Sequence, residues 1–143
     1  MNKKHTPLDA MEYPRFEGLR TFMRLPHTTN LDNVDFLVAG IPFDTGATFR
    51  VGARFGPSGI RENSLLLRPY NPAQDIEVFK YCSGIDYGDI PIVPGYLPES
   101  HKLIEQETAS LFQPNIVPIF MGGDHSISLP VLRSVKKKSK KYQ

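Results

Sequence analysis

The amino-acid sequence predicts an α/β fold: a three-layer α/β/α sandwich around a parallel sheet of about three strands. Three observations carry this reading. Residues 34–41 and 115–121 are short, mainly apolar runs with β-branched residues, and 81–87, ending in Ile85-Asp86-Tyr87, is a further strand candidate between them. Such runs, in place of a polar-apolar alternation, mark strands covered on both faces. Each run is followed by a polar or glycine-rich loop and then by a helical segment, so strand and helix alternate along the chain.

Residues 1–31 read as an irregular arm. Pro7, Pro14, Gly18 and Pro26 stand too close together for a long helix, leaving room for one brief turn near Leu19 to Met23. Val34-Asp35-Phe36-Leu37-Val38-Ala39-Gly40-Ile41 is the first strand. A long loop follows, carrying Asp44, Thr45, Arg50 and Arg54 among Gly46, Gly52 and Gly56. Pro57 then opens a helix reaching about residue 67, with Ile60, Leu65 and Leu67 available to a core. The second strand runs into Asp86-Tyr87-Gly88-Asp89-Ile90, and Pro91, Pro94, Gly95 and Pro98 enforce a loop. A helix over 99–113 places Leu103, Ile104, Leu111 and Phe112 on one stripe. The third strand contains Pro118, which cannot donate to a ladder and belongs where a strand begins or bulges. It stops at Gly122-Gly123-Asp124-His125-Ser126, and a last helix covers 128 to about 141, with Pro130 in its first turn.

Composition narrows the class. A chain of 143 residues, 40% hydrophobic and 22% charged, fits one ordinary domain. At this size roughly 70% of the unfolded surface is buried without disulfides or metal as staples. Cys82 is the single cysteine, so no intrachain disulfide forms, and the N-terminus leads into no signal-like apolar run; both point to a reducing, cytoplasmic setting. No run approaches the roughly 20 apolar residues of a membrane span. The net charge of +2 hides an asymmetry: residues 1–132 hold 11 basic and 15 acidic groups, a net of −4, whereas 133–143 hold six basic groups and none acidic.

In open α/β sheets ligands bind beyond the carboxyl ends of the strands. The polar clusters 40–56, 86–89 and 122–126 all fall there. The paired glycines Gly122 and Gly123 allow a sharp turn that presents Asp124 and His125, and a neutral imidazole is a good transition-metal ligand oriented by a neighbouring carboxylate. Gly122-Gly123-Asp124-His125-Ser126 resembles the first metal-ligand motif of the ureohydrolase family, which includes arginase, agmatinase, guanidinobutyrase and guanidinopropionase. Gly40-Ile41-Pro42-Phe43-Asp44, Gly52-Ala53-Arg54-Phe55-Gly56-Pro57 and Asp86-Tyr87-Gly88-Asp89 resemble its preceding strand ends and helix start. Arg15-Phe16, Thr21-Phe22-Met23-Arg24-Leu25-Pro26 and Leu67-Arg68-Pro69-Tyr70-Asn71 are most similar to the agmatinase and guanidinobutyrase branch.

The resemblance implies an arginase-like fold and manganese-dependent hydrolysis of a small guanidino compound, agmatine or guanidinobutyrate, to urea and an amine. It also implies a homo-oligomer; from the residues themselves, neither nucleic acid nor membrane is expected as a partner. A hydroxide held between two divalent ions roughly 3.5–4 Å apart supplies the nucleophile in such chemistry, and carboxylate and imidazole ligands suit manganese. His125 matches the first ligand, with Asp124 and Ser126 as loop support and Gly122, Gly123, Asp86 and Asp89 as structural motif residues. The family's remaining ligands lie in Asp-x-His-x-Asp and Asp-x-Asp motifs, and neither pattern occurs in the 143 residues. The expected consequence is a chain inactive by itself. Arg50 and Arg54 read as loop anchors or subunit contacts, because a cationic substrate is repelled by arginine.

By this reading residues 32–135 form a partial ureohydrolase domain and 136–143 a divergent lysine-rich tail. That tail reads as a helix end whose cations face the negative pole of the dipole and, together with this, as the mark of a shifted reading frame, with the missing motifs expected downstream. Binding to nucleic acid or an anionic membrane is disfavoured, since no aromatic interleaving or basic face elsewhere supports it. Without its usual neighbours the third strand is expected to expose an apolar edge. The alternative function is a non-catalytic module that pairs with full-length ureohydrolase subunits. An unrelated nucleotide-binding domain is disfavoured, since no glycine-rich phosphate motif follows the first strand.

Overall fold

The computed structural model describes residues 4–139. Its main sheet has three parallel strands in the order β4-β1-β5, with β1 Phe36–Ile41 central, β4 Gly84–Asp89 on one side and β5 Val117–Gly122 on the other. The helices are α1 Gly56–Ser64, α2 Leu97–Leu111 and α3 Ser128–Ser139. The chain steps from β1 to β4 in one direction and from β4 back over β1 to β5 in the other. Right-handed crossovers therefore place α1 and α2 on opposite faces, which yields the three layers.

Packing on β1 follows that division. Leu37, Ala39 and Ile41 point to one face, in a single core cluster with Ile85, Ile104, Leu111 and Ile127 from β4, α2 and the turn before α3. Each of the leucine and isoleucine side chains, withdrawn from water, contributes about 1.5–3 kcal/mol. On the other face α1 lies so close that a Cβ added to Gly40 would come within 2.8 Å of the Pro57 Cβ and would also strike the Asp89 carboxylate. Helix α3 packs on α2. At that contact the buried hydroxyls of Thr108 and Ser134 lie 3.0 Å apart, each also within reach of a carbonyl of its own helix, Ile104 and Val131.

Several boundaries differ from the sequence expectation. Helix α1 ends at Ser64, short of residue 67, because the Ser64 Oγ turns back onto the Arg61 carbonyl at 2.6 Å and accepts the Met23 N–H at 2.8 Å. Of the three apolar residues assigned to its core face, Leu65 is buried whereas Ile60 and Leu67 are exposed. Helix α2 starts two residues early, at Leu97, with Pro98 in its first turn and not in the loop. A two-stranded antiparallel pair, β2 Tyr70–Asn71 and β3 Ile76–Glu77, is an addition. Its turn is held by the Ala73 N–H on Asn71 Oδ1 at 3.0 Å and by the Tyr70 hydroxyl on Asp75 Oδ1 at 2.8 Å.

Strand β5 is an edge strand, and only one of its sides is paired. Val117 and Ile119 are 62% and 46% exposed, so the expectation of a fully buried third strand gives way to the expected apolar edge. Pro118 sits inside the strand without a bulge. Val117 donates its N–H to Asp35 O at 2.9 Å, so the alternation along the strand turns position 118 toward the open side, where no ladder bond is lost. In α3, Lys137 pairs with Glu105 and the Lys138 ammonium donates to the Phe112 carbonyl, which ties the basic run to α2. The rest of the lysine-rich segment, 140–143, lies outside the described residues. Among the described residues, no helix is long and apolar enough to cross a membrane.

Candidate functional site

Three polar loops leave the carboxyl ends of β1, β4 and β5, and backbone bonds knit them together. Ile90 donates to the Gly40 carbonyl at 2.8 Å, and Asp124 donates to the Phe43 carbonyl at 2.8 Å. Gly123 makes the second contact possible. It has φ +62°, and an added Cβ would stand 2.6 Å from the carbonyl oxygens of both Ile41 and Phe43. The Gly122–Gly123 peptide is cis.

The Asp124 side chain is committed to this loop frame. Its Oδ2 accepts the Gly46 N–H at 2.8 Å, and its Oδ1 accepts the Ser126 N–H at 2.9 Å and the Ser126 hydroxyl at 2.5 Å. Asp124 thus caps the short 3₁₀ turn His125–Ile127 and pins the β1 loop to the β5 loop. His125 begins that turn exposed to solvent. Its Nδ1 lies 3.5 Å from the Ser128 hydroxyl.

Asp86 and Asp89 are held across β1 from that loop. Asp86, 1% exposed, takes the Arg61 guanidinium as a fork, Nε to Oδ2 at 2.7 Å and Nη2 to Oδ1 at 2.9 Å, while Arg61 Nη1 reaches Asp89 at 2.7 Å. The Phe22 and Gly88 N–H groups complete the Asp86 shell. Burial alone would push the Asp86 carboxyl upward. The Arg61 hydrogen bonds and these amides outweigh burial and hold it below the usual carboxylate range.

Asp44 makes a second clamp, within the β1 loop. Its carboxylate accepts from Arg54 Nε at 2.8 Å and from the Gly52 N–H at 2.8 Å. The Arg54 side chain lowers its pKa to about 2 from 3.8, burial opposes the shift, and the Gly52 and Arg54 amides add to it. A depressed carboxylate contributes stability that is complete above its unfolded pKa and is lost as pH falls through the folded one. The stability difference between the parent and Asp44→Asn should accordingly be constant from neutral pH down to about 4. It should then shrink between 3.8 and about 2, as read from urea midpoints at each pH.

The sequence-predicted site residues thus separate. His125, Asp124 and Ser126 share one loop, whereas Asp86 and Asp89 belong to an Arg61 clamp on the far side of β1. Sequence reasoning missed Arg61 as their partner and Asp44 as the partner of Arg54. No group of three or more His, Cys, Asp or Glu side chains able to hold a metal ion is present among the described residues. Since Asp124 is spent on Gly46 and Ser126, His125 is the sole donor this loop offers, and the donor set does not fit a pair of manganese ions.

Comparison with known proteins agrees with this architecture. Residues 34–143 match the arginase family. The chain is 44% identical over 137 residues to a guanidinobutyrase of Pseudomonas aeruginosa, covering 94% of this chain and 43% of that protein. It is 35% identical to the mitochondrial agmatinase of Gallus gallus, over 94% of this chain and 39% of the relative. The crystal structure of a hypothetical agmatinase from Burkholderia thailandensis superposes with a TM-score of 0.85 at 31% identity, over 96% of this chain and 43% of that one. The chain therefore spans under half the length of the relatives it matches. With its sheet, its strand-end loops and more than half of its residues accounted for by that match, this chain belongs to the arginase family.

Proposed function

We propose that the chain carries the amino-terminal part of a guanidino-hydrolase site of guanidinobutyrase or agmatinase type, and that it does not hydrolyse a guanidino compound by itself. The observation behind both halves is the β5 loop. It projects His125 beyond the strand ends in a frame fixed by Asp124, yet no group of three or more candidate metal ligands gathers there among the described residues. The similarity to a guanidinobutyrase favours a guanidino acid as the substrate class, with manganese as the metal of a completed site. In such a site His125 would be one ligand, and the role of Asp124 and Ser126 is to keep its loop in place.

A urea-release assay tests this. With manganese and either 4-guanidinobutyrate or agmatine, the 143-residue chain is expected to give no urea above the protein-free rate. Turnover that His125→Ala abolishes would overturn the reading. A second reading, a module that associates with full-length arginase-family subunits, is favoured by the open edge of β5 and its exposed Val117 and Ile119. Co-purification with such subunits is its expected signature.

A further inference from the structure

The segment Thr21-Phe22-Met23-Arg24-Leu25-Pro26 touches the Asp86 clamp through the Phe22 amide alone and is not part of the His125 loop, yet it holds the least explained charge in the molecule. Arg24 is 5% exposed, and its Nη2 donates to the Tyr13 carbonyl at 3.1 Å. Its Nε is buried with no hydrogen-bond partner. The ion pairs among the described residues do not include it. A guanidinium offers five N–H donors, and burying it without a counter-charge is costly.

The backbone keeps Arg24 there. Met23 and Arg24 have φ of 51° and 62°, a region non-glycine residues rarely occupy. Bonds from neighbouring elements pin both residues: Phe22 N–H to Asp86 Oδ2 at 2.7 Å, Met23 N–H to Ser64 Oγ at 2.8 Å, and Leu8 N–H to Arg24 O at 3.3 Å. The side chain lines a cavity of about 450 Å³ beneath the amino-terminal arm, a volume within the usual range for small-molecule sites. Leu67 and Phe79 supply apolar wall, and Arg15, Asp9 and Glu77 are its other charged residues.

We propose that this cavity binds a small zwitterionic carboxylic acid, with its carboxylate on Arg24 and its cationic end toward Asp9 and Glu77. The charges select this class. Two arginines and two acids leave the wall neutral, so a dianion such as phosphate meets repulsion from Asp9 and Glu77. A simple amine, in turn, leaves the buried guanidinium unanswered. Arg15 is partly engaged by the Leu66 carbonyl at 3.2 Å, and Asp9 Oδ1 accepts the Met11 N–H at 2.8 Å, which leaves Arg24 as the open donor. A carboxylate on the cavity-facing end of its guanidinium forms a charge-assisted bond. The site is separate from the β5 loop and does not depend on the reading of that loop as part of a hydrolase.

Titration of the ¹⁵N-labelled 143-residue chain with 4-aminobutyrate, butyrate, butylamine and inorganic phosphate tests the proposal. Saturable amide shifts are expected at Leu8, Asp9 and Met23 with 4-aminobutyrate, with butyrate at least roughly tenfold weaker and the other two without effect. Arg24→Met should abolish the response, and Glu77→Gln should bring 4-aminobutyrate toward the butyrate affinity. Should Arg24→Met lose its fold by circular dichroism, Arg24→Lys, which keeps the charge but not the fork, is expected to weaken binding. The proposal is overturned if 4-aminobutyrate gives no saturable shifts, if the shifts map to the His125 loop, if phosphate binds as well, or if a folded Arg24 variant binds like the parent.

Discussion

Arg61→Met is expected to cost about 3–5 kcal/mol, a large share of the roughly 5–15 kcal/mol that holds an ordinary domain folded. The physical reason is the group left behind. Asp86 is 1% exposed and carries its charge inside the fold because the Arg61 fork neutralises it, and Asp89 leans on the same guanidinium. Removing Arg61 leaves Asp86 with only the Phe22 and Gly88 amides, so its carboxyl must rise in pKa or the surrounding structure must open to water. The damage spreads beyond α1, because Asp86 also orients the turn at Phe22 that carries the amino-terminal arm. Arg61→Lys keeps a charge but not the planar fork and should fall between parent and methionine. Adding Asp86→Asn to Arg61→Met should return part of the loss, since the uncompensated charge is then gone. Urea midpoints followed by circular dichroism measure all four proteins, and an Arg61→Met midpoint within about 1 kcal/mol of the parent would sink the account.

The same residue shows what the sequence does and does not make legible. The strands declare themselves through runs such as Phe36-Leu37-Val38-Ala39, whose burial on both sides needs no polar partner. Helix α1 does not, because its inner stripe is Pro57, Arg61 and Ser64, spaced by four and three residues and mostly polar. A search for apolar residues selects Ile60 and Leu67, both exposed. The Arg61 to Asp86 pair joins residues 25 apart through the parallel sheet, a distance at which no local spacing rule operates. Strands β2 and β3, two residues each, are too short to carry a period. By contrast the β5 loop was readable. Paired glycines next to an acid and a histidine announce a tight turn that presents side chains, although the capture of Gly46 by Asp124, 78 residues away, was not.

Gly123→Ala is the second large effect, expected to destabilise by about 2–5 kcal/mol. Two causes combine. The position has φ +62°, which an L-residue adopts at a cost, and its Cβ would stand 2.6 Å from two backbone carbonyl oxygens, Ile41 and Phe43, neither of which can swing aside as a flexible side chain would. Those carbonyls belong to the end of the central strand and to a residue whose ring is 1% exposed in the core, so relief must come from the β5 loop moving outward. That movement would lengthen the Asp124 N–H to Phe43 O bond, now 2.8 Å, and pull the Asp124 carboxylate off the Gly46 amide. The substitution should therefore raise hydrogen exchange at Gly46 and Asp124 by more than the global loss accounts for. Gly59→Ala is the matched control, since it lies within α1 and an added methyl there meets nothing within 4 Å. It should be neutral or gain up to about 1 kcal/mol from helix propensity. Equal melting shifts for the two variants would show that the carbonyl cage around Gly123 yields, and the β5 loop would then owe its position to Asp124 and not to the close approach of three backbones.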